Sequence, residues 1–205
     1  MGIITPLFAD IFNTSNLNIN DKQLDNIIKF VSNQNYSKSG QFSGIEDISL
    51  ISSDLYILNN KKLKFLKKVI EDDFNAFMKD ELLYENKFKI TTSWSTKTKP
   101  NSISHWHNHS NSYYSGVLYL NTNEKTGAIS FNKFMSPTFT LKPKMYNFFN
   151  CRTHLFNLKP KQVLYFPSNI YHKIEKNESN IIRYSIAFNI LPTGKVGWGD
   201  SEIFL

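Results

Sequence analysis

The chain has very few of the residues that cross-link or interrupt a fold: of its 205 residues, one is cysteine, 8 are glycine and 7 are proline. A single cysteine excludes an intramolecular disulfide and cysteine-rich zinc sites, and it favours a reducing compartment. No run approaches the roughly 18 apolar residues of a membrane span, and the first residues lack the pattern of a signal peptide. We therefore expect a cytoplasmic protein that does not associate with membranes.

Positive charge exceeds negative charge, with a net charge of +7 and a pI near 9.3. The lysines are nevertheless scattered along the whole chain and form no compact block, so nucleic acid is not an expected partner. Aromatic residues are abundant, with 17 Phe and 10 Tyr. Because flat rings pack well on pleated surfaces, this composition favours a β-rich core.

The first third of the chain has helical periodicity. Residues 3–12 suggest a short first strand, and Asn20 or Asp21 is a candidate cap for a helix with one apolar stripe. Residues 33–47 are rich in Ser, Asn, Gly and Gln, which is typical of an exposed loop. A second amphipathic helix is predicted from about Asn60 to Leu83.

From Lys87 onward the pattern changes to short β-like runs separated by turn residues. The predicted strands are Phe88–Ser95, Ser102–His107, Tyr113–Asn121, Ala128–Phe131, Phe139–Leu141, Tyr146–Phe149, Gln162–Phe166, Tyr171–Glu175 and Ile181–Ile190. Eight or nine strands after two helices indicate a mainly β fold with N-terminal helices. The expected architecture is a double-stranded β-helix, which is a jelly-roll, cupin-like barrel.

Three of the five histidines lie close together, in the segment Ser-His-Trp-His-Asn-His at 104–109. Alternate side chains of an extended strand point to the same face, so imidazoles two positions apart can contact one metal ion. His172, which follows a Phe-Pro turn, could complete such a site. The spacing is equally compatible with His105 and His107 or with His107 and His109 as the pair. We expect one domain over 1–205, in which 1–86 supports a jelly-roll core over 87–205 that carries the metal site.

Four motifs are similar to those of a known enzyme family. They are Phe166-Pro-Ser-x-x-x-His172, Ser115-Gly-Val-Leu-Tyr-Leu120, Arg183-Tyr-Ser-Ile-Ala-Phe-Asn189 and Gly194-Lys-Val-Gly197. Together they resemble the 2-oxoglutarate/Fe(II)-dependent oxygenases of marine bacterial and phage type, which are related to prolyl hydroxylases. The likeness covers roughly residues 90–200. It implies a dioxygenase that uses Fe(II) and 2-oxoglutarate to hydroxylate a C–H bond, such as that of a prolyl residue in a peptide or protein.

The resemblance also implies a set of metal ligands. His107 matches the first ligand of the family, His172 matches the distal ligand, and His109 stands where a carboxylate normally stands. A neutral imidazole in place of a carboxylate leaves the site one charge more positive. No catalytic residue is expected beyond the metal centre.

Three further residues correspond to the part of the family's site that binds 2-oxoglutarate. Arg183 lies 11 residues after His172, where a basic residue of the family pairs with the remote carboxylate of the cosubstrate. Ser185 and Tyr119 match positions that add hydroxyl donors to the same carboxylate.

Other interpretations of the histidines stay open at this point. A cupin-type metal-binding protein, or a dioxygenase that does not use 2-oxoglutarate, would also place His107, His109 and His172 around a metal. The Glu that a cupin has a few residues after its His-x-His pair is missing, because Ser112, Tyr113 and Tyr114 fill that region. A third possibility is an interaction module whose metal site has decayed. Peptides, proteins and small molecules are all candidate substrates, and the oligomeric state is unknown.

Overall fold

The computed structural model describes residues 3, 5, 9–39, 47–133, 139 and 141–205. Its first helix, α1, covers Asp21–Ser32 and begins where the sequence predicts, because Asn20 and Gln23 cap each other. The side chain of Asn20 accepts from the Gln23 N–H at 2.9 Å, and the side chain of Gln23 accepts from the Asn20 N–H at 2.8 Å. The apolar stripe of α1 buries Ile27 and Val31.

The second helix, α2, covers Lys64–Ala76 and is followed by a π-helical turn over Phe77–Glu81. It starts later than predicted because a 3₁₀ turn occupies Ile57–Asn59 and because the Asn60 side chain accepts from the Lys62 N–H at 3.1 Å. Such a side-chain turn competes with the first turn of a helix.

The described residues contain twelve strands, which are numbered β1 to β12 in chain order. They are β1 Asn13–Asn16, β2 Tyr36–Ser37, β3 Leu50–Ser52, β4 Lys87–Thr98, β5 Tyr114–Tyr119, β6 Ile129–Asn132, β7 Thr153–Phe156, β8 Gln162–Pro167, β9 Tyr171–Ile174, β10 Arg183–Thr193, β11 Lys195–Val196 and β12 Ile203–Phe204.

The strands form a seven-stranded sheet in the order β1-β8-β5-β10-β4-β3-β2 and a three-stranded sheet in the order β7-β6-β9, while β11 and β12 form a hairpin. All of these pairings are antiparallel. The two larger sheets form the jelly-roll that the sequence predicts.

Two predicted strands are wrong. Phe139 and Leu141 are not in a strand, although residue 140 lies outside the described part of the chain, and Tyr146–Phe149 leads into a turn. The Asn147 side chain accepts from the backbone N–H of Phe149 at 2.9 Å and of Asn150 at 3.2 Å, so local hydrogen bonds replace strand pairing.

Other boundaries also differ from the prediction. The segment Ser102–His107 contains only isolated bridges at Ile103 and His107. The predicted strand over 3–12 lies partly outside the described residues, and its described residues are not in a strand. Strand β7 was not predicted, and neither were β2 and β3. Part of the predicted 33–47 loop, residues 40–46, is not described.

The interior consists of two apolar clusters on opposite faces of the large sheet. One cluster packs α1 and α2 against the sheet and includes Ile70, Phe74 and Phe188. The other fills the space towards the three-stranded sheet and includes Phe131, Leu164 and Phe166. Alternation along β5 divides its side chains between the two clusters, with Leu118 in the first and Val117 in the second. The helices thus cover one face, and the other face is left to form a site.

Gly116 allows the rings of Phe188 and Tyr165 to pack directly against its backbone, and its replacement by alanine should destabilise the fold. A Cβ at this position would lie 2.5 Å from Cζ of Phe188 and 3.1 Å from Cδ1 of Tyr165, and both of these rings are fully buried. Overpacking of this kind costs about 1–3 kcal/mol. Thermal unfolding of Gly116→Ala should show a lower midpoint than the wild type, and an unchanged midpoint would contradict the packing described here.

Candidate metal centre and adjoining cavity

His107 and His172 face each other across an antiparallel bridge. The N–H of His107 donates to the carbonyl of His172 at 3.0 Å, and the N–H of His172 donates to the carbonyl of His107 at 2.8 Å. Directly opposed residues of an antiparallel pair project their side chains to the same face. The ring centroids of His107 and His172 are consequently 4.3 Å apart.

His109 joins this pair although its segment is not a regular strand. Its N–H donates to the carbonyl of Ser168 at 2.9 Å. Its ring centroid lies 5.4 Å from that of His107 and 5.1 Å from that of His172. One possible ligand atom from each of the three side chains lies within 4.8 Å of the others. A single metal ion could contact all three, and no described Asp or Glu belongs to this group.

Each imidazole already uses its Nδ1 atom. Nδ1 of His107 is 2.8 Å from the backbone carbonyl of His105, and Nδ1 of His172 is 3.2 Å from that of Ile170. Nδ1 of His109 is 2.6 Å from Oδ1 of Asn189. Because a carbonyl oxygen can only accept, each Nδ1 carries the proton and each Nε2 keeps a free lone pair. This arrangement of outer acceptors is the usual one around histidine ligands.

Burial keeps the three imidazoles neutral. Burial lowers the pKa of His109 to about 4. It also lowers the pKa of His107, although the hydrogen bond to the His105 carbonyl raises that pKa by a smaller amount. The pKa of His172 is held well below its usual range, first by burial and then by the neighbouring His107 and His109. Near pH 7 all three rings therefore have a lone pair that a metal can use, with no proton to displace.

A cavity of about 320 Å³ adjoins the three histidines. Its wall comes mainly from β4, β5 and β10 of the large sheet and from residues of the three-stranded sheet, and it includes Trp94, Thr96, Val117, Ile129, Phe166, Ile174, Arg183 and Ser185. Arg183 is the one formally charged side chain among the described lining residues. The cavity therefore favours an anionic ligand.

Arg183 is fully buried and only part of its donor set is used. Nη1 donates to the carbonyl of Gly127 at 3.0 Å, and Nη2 donates to Oγ1 of Thr98 at 2.9 Å. Its Nε has no hydrogen-bond partner within the described part of the chain. Burial lowers the pKa of Arg183, but an arginine remains charged at any physiological pH.

Ser185 and Tyr119 are paired with each other on the adjacent strands β10 and β5, close to this arginine. Ser185 is buried on the cavity wall, where its Oγ is 2.5 Å from Oγ1 of Thr96. Tyr119 is fully buried beneath the guanidinium, with the Arg183 Cζ 5.2 Å from its ring centroid. The Tyr119 Oη has no hydrogen-bond partner among the described residues, and burial raises its pKa. Its predicted contact with a cosubstrate stays a prediction.

Of the two histidine pairs that the sequence left open, the structure brings His107 and His109 together with His172. His105 contributes its backbone carbonyl to His107. Sequence reasoning missed the contact that Asn189 makes with His109; Asn189 ends the Arg-Tyr-Ser-Ile-Ala-Phe-Asn motif. Its even spacing from Arg183 and Ser185 along one strand was the available signal.

The chain matches a known family over its central and C-terminal part. Residues 92–189 match the family described as "Putative 2OG-Fe(II) oxygenase". The match confirms the predicted resemblance to the 2OG-Fe(II) oxygenases over these residues. The family is Fe(II)- and 2-oxoglutarate-dependent, so the predicted enzyme class and cofactors are confirmed at this level. No curated protein sequence matches the chain.

Solved structures of 2OG-Fe(II) enzymes share the fold. SnoN, the non-heme alpha ketoglutarate dependent epimerase from nogalamycin biosynthesis, has a TM-score of 0.67 at 8% identity over 90% of this chain and 80% of that chain. HygX from Streptomyces hygroscopicus, with nickel, 2-oxoglutarate and hygromycin B bound, has a TM-score of 0.63 at 11% identity over 90% and 84%. A Trichoplax adhaerens prolyl hydroxylase, in complex with a hypoxia inducible factor peptide fragment, has a TM-score of 0.58 at 13% identity over 88% and 83%. These likenesses confirm the predicted jelly-roll.

The residues around the cavity fit the groups on which this oxygenase family depends. Three neutral imidazoles with free Nε2 atoms suit a divalent transition metal. A buried arginine with an unpartnered Nε suits the carboxylate of a small anion.

Among the described residues, no helix has the length and hydropathy needed to cross a lipid bilayer.

Proposed function

We propose that this oxygenase is an Fe(II)- and 2-oxoglutarate-dependent dioxygenase that hydroxylates a C–H bond. The observation that carries the proposal is the position of two different binding groups on one cavity of about 320 Å³. One group is the cluster of His107, His109 and His172, and the other is the buried Arg183. A metal-binding protein without a cosubstrate does not require the second group.

His107, His109 and His172 would hold the metal through their Nε2 atoms. Their backbone anchors fix the geometry before binding, since His107 and His172 exchange two hydrogen bonds and His109 is tied to Ser168. A site that is positioned in advance loses little conformational entropy on binding. When bound, Fe(II) and 2-oxoglutarate together supply the oxidising chemistry of the reaction.

Arg183 would bind the remote carboxylate of 2-oxoglutarate. The carbonyl of Gly127 and the hydroxyl of Thr98 hold its two terminal nitrogens, and the Tyr119 ring supports the guanidinium from below. Ser185, two positions along β10, would donate its hydroxyl to the same carboxylate, and Tyr119 Oη is the third predicted donor. Apolar side chains on the wall, such as Val117 and Phe166, would keep water away from the reacting groups.

The proposed substrate is a prolyl residue in a peptide or protein. A cavity of about 320 Å³ is at the small end of ligand pockets, so a bound cosubstrate leaves space for one side chain of a substrate whose remainder lies outside. The prolyl hydroxylase among the similar structures is in complex with a peptide fragment. SnoN is an epimerase on the same fold, so the reaction outcome needs a direct test.

The test is an assay of 2-oxoglutarate turnover with protein purified without oxygen and loaded with Fe(II). We expect succinate release that requires both iron and oxygen, and that increases when proline-containing peptides are added. His172→Ala should release no succinate above background, and it serves as the control for free iron. Mass spectrometry of the peptide should show an added 16 Da for hydroxylation.

One result would contradict the proposed dependence on 2-oxoglutarate, and another would contradict the proposed substrate. Metal binding without 2-oxoglutarate binding in the wild type would favour the cupin-type alternative. Succinate release with no oxygen added to any peptide would leave the oxygenase class intact and exclude the peptide substrates tested.

A further inference from the structure

The side chain of Asn189 contacts His109, the ligand candidate that stands where a carboxylate is expected. It lies on β10, four residues after Ser185, and its Oδ1 is 2.6 Å from Nδ1 of His109. The hydroxyl of Ser115 donates to the same Oδ1 at 2.9 Å. The amide nitrogen of Asn189 donates to Oγ1 of Thr92 at 3.0 Å, which holds the amide in this orientation.

This contact determines which nitrogen of His109 carries the proton. If Nδ1 were unprotonated, two acceptor atoms would face each other at 2.6 Å. The proton therefore lies on Nδ1, and Nε2 is left with its lone pair facing the cluster. The Ser115 hydroxyl adds to this preference, because it donates to Oδ1 while lying 2.9 Å from Nδ1. If the amide were reversed, its N–H would face Nδ1, and the ring proton would move to Nε2 and block a metal.

The other two histidines do not depend on a side chain in this way. Nδ1 of His107 and Nδ1 of His172 face backbone carbonyls, which no substitution removes. His109 is the member of the cluster whose Nδ1 faces replaceable side chains, and Asn189 is the nearer of the two at 2.6 Å against 2.9 Å for Ser115.

We propose that Asn189 is a positioning residue that fixes the Nδ1–H tautomer of His109 and thereby makes its Nε2 a metal ligand. The inference rests on the proposed function, because it assumes that His109 binds the metal. It assigns to Asn189, which also lines the cavity, a role that acts through His109. It also predicts that a carboxylate can replace the amide, because a carboxylate oxygen accepts the same hydrogen bond.

The experiment compares Asn189→Leu and Asn189→Asp with the wild type, using Co(II) as the probe. Asn189→Leu should weaken Co(II) binding about 10- to 100-fold, the usual effect of losing the outer partner of a histidine ligand. Asn189→Asp should bind Co(II) at least as tightly as the wild type. The d–d spectrum of bound Co(II) should change in the leucine variant and keep its wild-type form in the aspartate variant.

Asn121→Leu is the matched control. Asn121 is also half-buried, and its side-chain amide is also held by two hydrogen bonds, in this case to the backbone at the start of β10. It donates to the carbonyl of Ile182 at 2.8 Å and accepts from the N–H of Tyr184 at 2.7 Å. Neither of these hydrogen bonds involves His109. Loss of the Asn121 amide should lower the unfolding temperature without changing the affinity for Co(II). Equal weakening in the two leucine variants would show a general packing effect and overturn the inference.

A metal-free measurement separates this inference from the proposed function. Nitrogen-15 NMR of the histidine rings at fixed pH should show His109 with its proton on Nδ1 in the wild type and in Asn189→Asp, and a mixture of tautomers in Asn189→Leu. An unchanged tautomer in Asn189→Leu would overturn the role of Asn189 whatever the metal does. A wild type that binds no metal would instead contradict the proposed function.

Discussion

Replacement of His172 by alanine should abolish metal retention, and replacement of His107 should do the same. Each variant removes one of three imidazoles and leaves a buried pair that cannot enclose an ion. The affinity for Fe(II) or Co(II) should fall by more than the roughly 10- to 100-fold that is typical for an outer partner. Metal analysis after dialysis, together with calorimetric titration of Co(II), measures this loss.

Two histidine variants serve as controls for that result. His105→Ala should keep most of the metal, because His105 supports His107 through its backbone carbonyl and alanine keeps that carbonyl. His154→Ala should also keep it, since His154 packs between Phe148 and Phe156 on β7. Loss of metal in His105→Ala with retention in His109→Ala would mean that the ligand pair lies two residues earlier than proposed.

Replacement of Arg183 by methionine should remove most of the binding of 2-oxoglutarate while leaving the metal in place. The loss of a charge-assisted and buried contact costs roughly 2–3 kcal/mol, which corresponds to an increase in Kd of roughly 30- to 150-fold. Calorimetric titration of 2-oxoglutarate into the metal-loaded protein, with oxygen excluded, measures this change. Metal content should equal that of the wild type.

The controls for Arg183 separate charge from position. Lys97→Met removes one positive charge from the neighbouring strand β4, but the Lys97 amine lies 5.5 Å from the centre of the Tyr36 ring and outside the cavity wall. Its affinity for 2-oxoglutarate should match that of the wild type. Arg183→Met also leaves the Gly127 carbonyl without its donor, so thermal unfolding must confirm that the protein is folded during the titration. Equal cosubstrate affinity in wild type and Arg183→Met would remove Arg183 from the proposed site.

Several features of the fold could be predicted because their causes are local. The Asn20 cap and the apolar stripe of α1 depend on residues within one or two turns of each other. Strands β4, β5, β8 and β10 follow from β-forming runs between turn residues, and their boundaries are near the predicted ones. The aromatic run at 146–149 misled the prediction, because Asn147 closes a turn there and the ring of Phe148 remains 81% exposed.

The sequence by itself determined that histidines cluster and that Arg183 and Ser185 share a face of one strand, because a period of two is a property of the backbone alone. The tertiary structure decided which histidines meet. The segment 104–109 is not a regular strand. Its backbone contacts with Ser168 and His172 bring His109 into the histidine cluster and leave His105 outside it. It also decided the tautomer of His109, because its partner Asn189 is 80 residues away along the chain and reaches it only when β10 lies beside β5. Such contacts depend on how strands are ordered in a sheet, and no local pattern of residues specifies that order.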